Sequence, residues 1–247
     1  MTSTFKRSFP ITHITTASAI LHIDGINFLT DPVFSPAGTE WDMGLTVLKN
    51  TKGPATQLED IPVIDAVLLS HEDHPISWTN SVGAFLTAAG FSRHKTEPRN
   101  SRLVLDFKVT GIPYQHLPEG EVIGFVLRAA TVRERNGLPN VIYISGDTVY
   151  LWEIPKVLLE KYHVSFAILN IGSAEVAISD PPLLVAMDGK EAGRLFREIG
   201  ADVLVLMHYE SWEDFPENRD QLRVILEQEG VSDQVRWLEL RAETKIL

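Results

Sequence analysis

Apolar runs of strand length alternate with helical patterns along this chain. ILHIDGINFLTDP (20–32) reads as two strands joined at Asp24-Gly25, because Asp-Gly suits the positive-φ positions of a type I′ hairpin. Residues 33–62 combine Gly, Pro and Thr with little periodicity, which predicts a long surface excursion. DAVLLS (65–70) is an apolar run and predicts a strand buried on both faces. TNSVGAFLTAAG (79–90) predicts a helix capped by Thr79, with Val82, Phe85 and Leu86 on one face.

The second half repeats the scheme. RLVLDFKVTG (102–111), VIGFVLRAA (122–130) and NVIYISGD (140–147) read as successive strands, and LWEIPKVLLEKY (151–162) as a helix entered or kinked near Pro155. FAILNIG (166–172) is a further buried strand. Asp188 and Glu191 have capping-box spacing ahead of Ala192, Leu195, Phe196 and Ile199, with Gly200 closing that helix. ADVLVLMH (201–208) predicts a strand, residues 217–229 a helix and VRWLEL (235–240) a last strand. With no linker and no internal repeat, the expectation is one α/β domain over 1–247.

Composition narrows the function. With 44% hydrophobic and 22% charged residues, the 247-residue chain has ordinary globular composition and enough length for a layered core. No apolar run reaches the ~18–20 residues of a membrane span. The first 25 residues lack the apolar core and cleavage site of a secretion signal, so a mature cytoplasmic chain is expected. Cysteine is absent, so any metal must be held by nitrogen and oxygen. The net charge of −11, with no Lys/Arg cluster, opposes nucleic-acid binding and points to a small-molecule substrate.

Three buried runs end in residues that ligate metals: AVLLS at His71, VIYISG at Asp147 and VLVLM at His208. In α/β sheets, functional groups gather past strand ends, where loops converge on a rigid frame. His74 and His116 bring the set to four His and one Asp, a donor chemistry suited to zinc, and to manganese or iron as well. Simpler roles stand beside these. His13, His22, His94 and His163 read as surface or hydrogen-bonded histidines, and Asp147 could cap a helix starting near Tyr150. Tyr209, Glu210 and Trp212 follow His208 and could line a pocket, or simply pack in a core.

These residues resemble the metallo-β-lactamase superfamily, in particular its small metallohydrolases related to ascorbate-phosphate lactonase. The landmarks are FLTDPVFSPAGT (28–39), IDAVLLSHEDH (64–74), YQH (114–116), YISGDT (143–148), ILNIG (168–172) and MDGKEAGRLFREIGADVLVLMHYESW (187–212), in family order across nearly the whole chain. The resemblance implies an αββα four-layer sandwich. It also implies a metal-dependent hydrolase of a small ester, lactone, amide or phosphoester, acting through metal-activated water that Asp147 orients.

The family pattern His-x-His-x-Asp-His is altered here to His71-Glu72-Asp73-His74-Pro75-Ile76-Ser77. One alignment deletes two residues and keeps Asp73-His74 as the Asp-His pair. The other counts back from the helix start at Thr79; it puts His74 on the second His, Ile76 on the Asp ligand and Ser77 on the last His. The helix anchor is preferred, because a cap fixes the exit geometry of a loop. It leaves one site of His71, His74, His116 and Asp147, and a second of only Asp147 and His208, hence one ion, or one tight and one weak. Asp73 is then a candidate proton acceptor or a solvated carboxylate, and Asp31 is expected to orient a ligand imidazole. A binding or scaffold protein with a degraded site is the alternative that Ile76 and Ser77 favour; a nuclease is the third reading, disfavoured by the acidic charge.

Overall fold

The computed structural model describes residues 9–42, 47–71, 101–104, 107–115, 121–129, 134–176, 179–213, 215–240 and 242–246. The chain runs through β1 (Pro10–Thr15), β2 (Ser18–Ile23), β3 (Ile26–Thr30), β4 (Glu40–Asp42), β5 (Val47–Lys49) and β6 (Ala66–Leu68). It continues through β7 (Ser101–Val104), β8 (Phe107–Gln115), β9 (Glu121–Ala129), β10 (Glu134–Arg135) and β11 (Leu138–Ile144). Then come α1 (Glu153–Lys161), β12 (His163–Asn170), β13 (Glu175–Val176), β14 (Leu183–Leu184), α2 (Gly189–Glu198) and β15 (Val203–Met207). The last elements are α3 (Arg219–Gln228), β16 (Val235–Trp237) and β17 (Glu243–Lys245).

Among the described residues two main sheets form, in the orders β17-β1-β2-β3-β6 and β16-β15-β12-β11-β9-β8-β7, with β10 added on β11. Side-chain alternation explains why they stack. Along β15, Val205 and Met207 join one core while Leu204 and Leu206 join another; β11 splits Ile142 and Ile144 from Val141 and Tyr143 in the same way. The first core lies between the sheets and includes Phe9, Leu21 and Phe28 from one and Phe125, Phe166 and Val205 from the other. A one-residue slip of either strand would exchange the two sets, so register is tightly specified.

The parallel pairs β11/β12, β12/β15 and β15/β16 require crossovers, and α1, α2 and α3 supply them. Ile154 and Leu158 of α1, Leu195 and Phe196 of α2, and Leu222 and Leu226 of α3 fill the second core, outside the second sheet. A smaller cluster of Ile14, Ile20, Leu29 and Ile64 lies on the other face of the first sheet. The helix expected at 79–90 lies outside the described residues.

Local signals hold where they were strong. Asp24 (φ 51°) and Gly25 (φ 89°) link β2 to β3 as the Asp-Gly pair predicts. Pro155 is the third residue of α1, so it enters the helix without kinking it. Asp188 caps α2 by accepting from Glu191 N at 2.6 Å, and Asn218 with Gln221 forms a full capping box on α3. Asp188→Ala is expected to lower stability by about 1 kcal/mol, read as a shift in the urea midpoint at unchanged slope.

Other expectations are corrected. RLVLDFKVTG contains two antiparallel strands, β7 and β8. β6 is the end strand of its sheet with Val67 only half-buried, because an end strand is covered less fully than an interior one. β1 and β17 form strands that the pattern did not mark; β1 alternates apolar residues with Thr and His, and its His13 and Thr15 are buried as hydrogen-bonded groups. The 33–62 segment is an excursion, but it carries the β4–β5 hairpin and buries Val33 and Asn50. Among the described residues no helix is long and apolar enough to cross a membrane.

Candidate metal centre

The ends of β6, β11, β12 and β15 meet at one edge of the stacked sheets. Gly146 fixes how closely: it has φ 65°, and a Cβ built on it would stand 2.9 Å from Ser70 Cβ and 2.8 Å from the Ile123 carbonyl oxygen. Only glycine lets the two chains approach so far. Ile123 N also donates to Ser70 O at 2.8 Å, tying the first sheet to the second. The residues that follow Ser70 and Gly146, His71 and Asp147, are thereby held on neighbouring chain segments.

Asp147 and His208 are both buried, and Asp147 Oδ2 lies 3.3 Å from His208 Nε2. Asn170, at the end of β12, donates from Nδ2 to Asp147 Oδ1 at 2.8 Å. Helix α1 begins at Glu153, so Asp147 is not its cap. His208 adopts φ 74° and donates its backbone N–H to Thr16 O at 3.0 Å; its ring meets that of Phe215 edge-on, with centroids 5.0 Å apart. Thr16, Asp31 and Ser211 also have positive φ. Residues in that region are strained by about 1–3 kcal/mol, and such strain gathers at functional sites. Here the segments are pinned to one another: Ser18 Oγ donates to Asp31 O, and Thr15 Oγ1 to Ser211 Oγ.

Ser70 Oγ lies 2.8 Å from His71 Nδ1, which leaves coordination by His71 to Nε2. An imidazole of His74 or His116, which Asp31 was expected to orient, lies outside the described residues. Asp31 Oδ1 accepts from Ser70 N at 2.7 Å, so Asp31 holds the backbone before His71. The reason is proximity: Asp31 N donates to Leu68 O, placing the carboxylate beside the exit of β6. Burial above all, and then the negative charge of Asp147, push the Asp31 carboxyl up to about 7. This edge of the molecule thus concentrates negative charge in a dry place.

These features fit a divalent cation. Imidazole and carboxylate are its ligands in the absence of thiolates, and two donors on one tetrahedral zinc stand about 3.3–3.5 Å apart, the spacing of Asp147 Oδ2 and His208 Nε2. A cation would also offset the charge that disfavours ionised Asp31. Among the described residues no group of three or more His, Asp or Glu converges on one point. Three expected site residues, His74, His116 and Asp73, lie outside the described residues.

The remaining histidines have structural partners. His13 Nε2 lies 2.9 Å from Thr16 O, His22 joins Thr12 and Asn27, and His163 pairs with Asp202; His94 is outside the described residues. Tyr209 is buried in the second core, Glu210 pairs with Lys52, and Trp212 packs on Trp41 and Phe215. The residue that sequence reasoning missed is Asn170. Its signal was present: it ends the buried run FAILN just as Asp147 and His208 follow theirs.

No family model matches the chain. An uncharacterised protein of Mycobacterium tuberculosis is 26% identical over 219 residues; the match covers 78% of this chain, which spans 56% of that protein's length. Among solved structures, an isothiocyanate hydrolase from Delia radicum gut bacteria superposes with a TM-score of 0.72 at 20% identity, covering 93% of this chain and 96% of the other. A possible metal-dependent hydrolase from Veillonella parvula gives 0.75 at 17% identity, covering 97% and 100%. The metallo-β-lactamase fold protein YhfI from Bacillus subtilis gives 0.59 at 15% identity, covering 96% and 98%. Two face-to-face mixed sheets with crossover helices outside, shared over nearly full length with these structures, make this chain a metallo-β-lactamase fold.

Proposed function

We propose that the protein is a metal-dependent hydrolase of a small ester, lactone, amide or phosphoester. The approach of Asp147 to His208 at the meeting of the two sheets, with His71 held on the adjoining segment, supports this most directly. The proposed ligands are His71, Asp147 and His208, with His74 and His116 from segments outside the described residues. Zinc suits this donor set, and manganese or iron would be accepted. When bound, such a cation supplies a nucleophile from water near neutral pH and draws charge from the reacting carbonyl or phosphoryl oxygen. Asp147 Oδ2 orients the attacking water and accepts its hydrogen bond, while Asn170 holds Oδ1. Ser70 keeps His71 in one ring orientation, and Asp73, outside the described residues, is the candidate proton acceptor.

Metal analysis of protein purified after metal-supplemented growth tests this. About one equivalent of zinc, manganese or iron is expected, falling to near zero in His71→Ala and His116→Ala, with hydrolysis of an activated ester or phosphoester lost in parallel. Folded wild-type protein that takes up no metal would leave the binding or scaffold role. A variant that keeps full activity without His71 would refute the ligand set.

A further inference from the structure

We infer that Asn170 is a positioning residue for Asp147, holding that carboxylate in the orientation that presents Oδ2 to the cation. The role presupposes the metal centre proposed above and adds to it a residue that ligates nothing.

Three observations carry it. Asn170 Nδ2 donates to Asp147 Oδ1 at 2.8 Å, while Oδ2 is the oxygen 3.3 Å from His208 Nε2. An ionised carboxylate can only accept, so the amide must turn its nitrogen to Asp147 and its oxygen away. The two carboxylate oxygens are thereby given different tasks.

Asn170 is itself rigidly placed. Its backbone N–H donates to Ser145 Oγ at 2.9 Å, and Ser145 Oγ donates to Gly146 O at 2.7 Å. Its neighbour Ile168 accepts from Ser145 N at 3.0 Å. The end of β12 and the turn that carries Asp147 therefore move as one unit, and the amide is aimed without a flexible lever between them.

Packing does not explain a polar side chain here. Asn170 is 1% exposed, and its Oδ1 has no hydrogen-bond partner among the described residues. Burying an acceptor without a donor costs about 1–3 kcal/mol. Leucine, of similar size, would avoid that loss, so the interaction at the other end of the amide is what favours Asn. A charge-assisted donor of this kind is stronger than a neutral one.

The test is a titration of metal-free full-length protein with cobalt(II), read by the visible absorption of the bound ion and by competition with a chelator. Wild type is compared with Asn170→Leu, Asn170→Asp and Asp147→Asn, and the urea midpoint of each metal-free protein is measured alongside. Asn170→Leu removes both amide groups, while Asn170→Asp keeps the size and an oxygen but loses the donor. Expected are affinities about 10–100-fold weaker for both, the usual loss when a hydrogen bond to a ligand is removed, with an altered cobalt spectrum. The urea midpoint of each metal-free Asn170 variant is expected to fall, because the buried Asp147 Oδ1 loses its donor. Wild-type affinity in both Asn170 variants, with binding lost in Asp147→Asn, overturns the role of Asn170 and leaves the metal centre standing. Weaker affinity with the wild-type cobalt spectrum in both variants means that the ligand geometry does not depend on Asn170, and also overturns it. Wild-type affinity in Asp147→Asn overturns the metal centre itself, and the role of Asn170 with it.

Discussion

Gly146→Ala is expected to destabilise the protein by about 2–5 kcal/mol, the larger of two pronounced effects. A non-glycine residue in left-handed backbone costs roughly 1–2 kcal/mol, and Gly146 has φ 65°. The new methyl would also stand 2.8 Å from the Ile123 carbonyl oxygen and 2.9 Å from Ser70 Cβ. Neither is the free end of a long side chain that could swing aside. Overpacking of this kind costs about 1–3 kcal/mol more. For a chain of this length the sum corresponds to a melting temperature lower by roughly 5–15 °C. Relief requires Ser70 to withdraw from Gly146, which would also spread His71 from Asp147, so metal uptake should fall with stability. A melting temperature within about 2 °C of wild type would show that the approach of the sheets is not as tight as described.

Asp147→Asn should separate function from stability. Loss of a direct carboxylate ligand is expected to weaken cation binding by more than about 100-fold, beyond what losing an indirect partner does. The metal-free protein should at the same time feel less repulsion at neutral pH, because the like charge that Asp147 sets against the buried Asp31 carboxyl is removed while the side-chain volume stays the same. The pH dependence sharpens this. Asp31 has its carboxyl pushed up to about 7 from 3.8, chiefly by burial and then by the charge of Asp147. Below about pH 4 it is protonated folded and unfolded alike. As pH rises toward 7 the unfolded chain releases that proton and the folded one retains it, so metal-free stability declines over this window. In Asp147→Asn the decline should be shallower but still present, since burial remains. Denaturation curves at pH 4, 5.5 and 7 on metal-free wild type and variant check both the sign and the difference. An unchanged pH profile would mean that Asp147 and Asp31 do not sense each other.

Much of the fold was legible because the relevant physics is local. The Asp24-Gly25 turn, the cap at Asp188 and the position of Pro155 each depend on residues a few places apart, and each formed as read. The division between β7 and β8 was not read, although Asp106 marks it, since one Asp among apolar residues with no Gly or Pro beside it is a weak turn signal. β1 was missed because its buried polar residues, His13 and Thr15, are satisfied by Thr16 and the distant Ser211. Of the proposed site, Asp147 and His208 were recognisable as polar ends of apolar runs, and they meet. Asn170 had the same position on its own strand, but an amide is not among the imidazole and carboxylate donors that zinc favours, so it did not stand out as a ligand.

By itself the order of apolar and polar residues determined the buried strands of the second half and the three crossover helices between them, and that His71, Asp147 and His208 would follow apolar runs. Alternation of period two and end-capping act over a few residues and can be read in one dimension. Which ends come together was decided only in three dimensions. Ser70 lies against Gly146, His208 is anchored to Thr16, and Asn170 reaches Asp147 because the sheets stack on a shared core and their crossovers bring remote segments to one edge. Those contacts depend on the close packing of both sheets at once, and no single stretch of the chain encodes them.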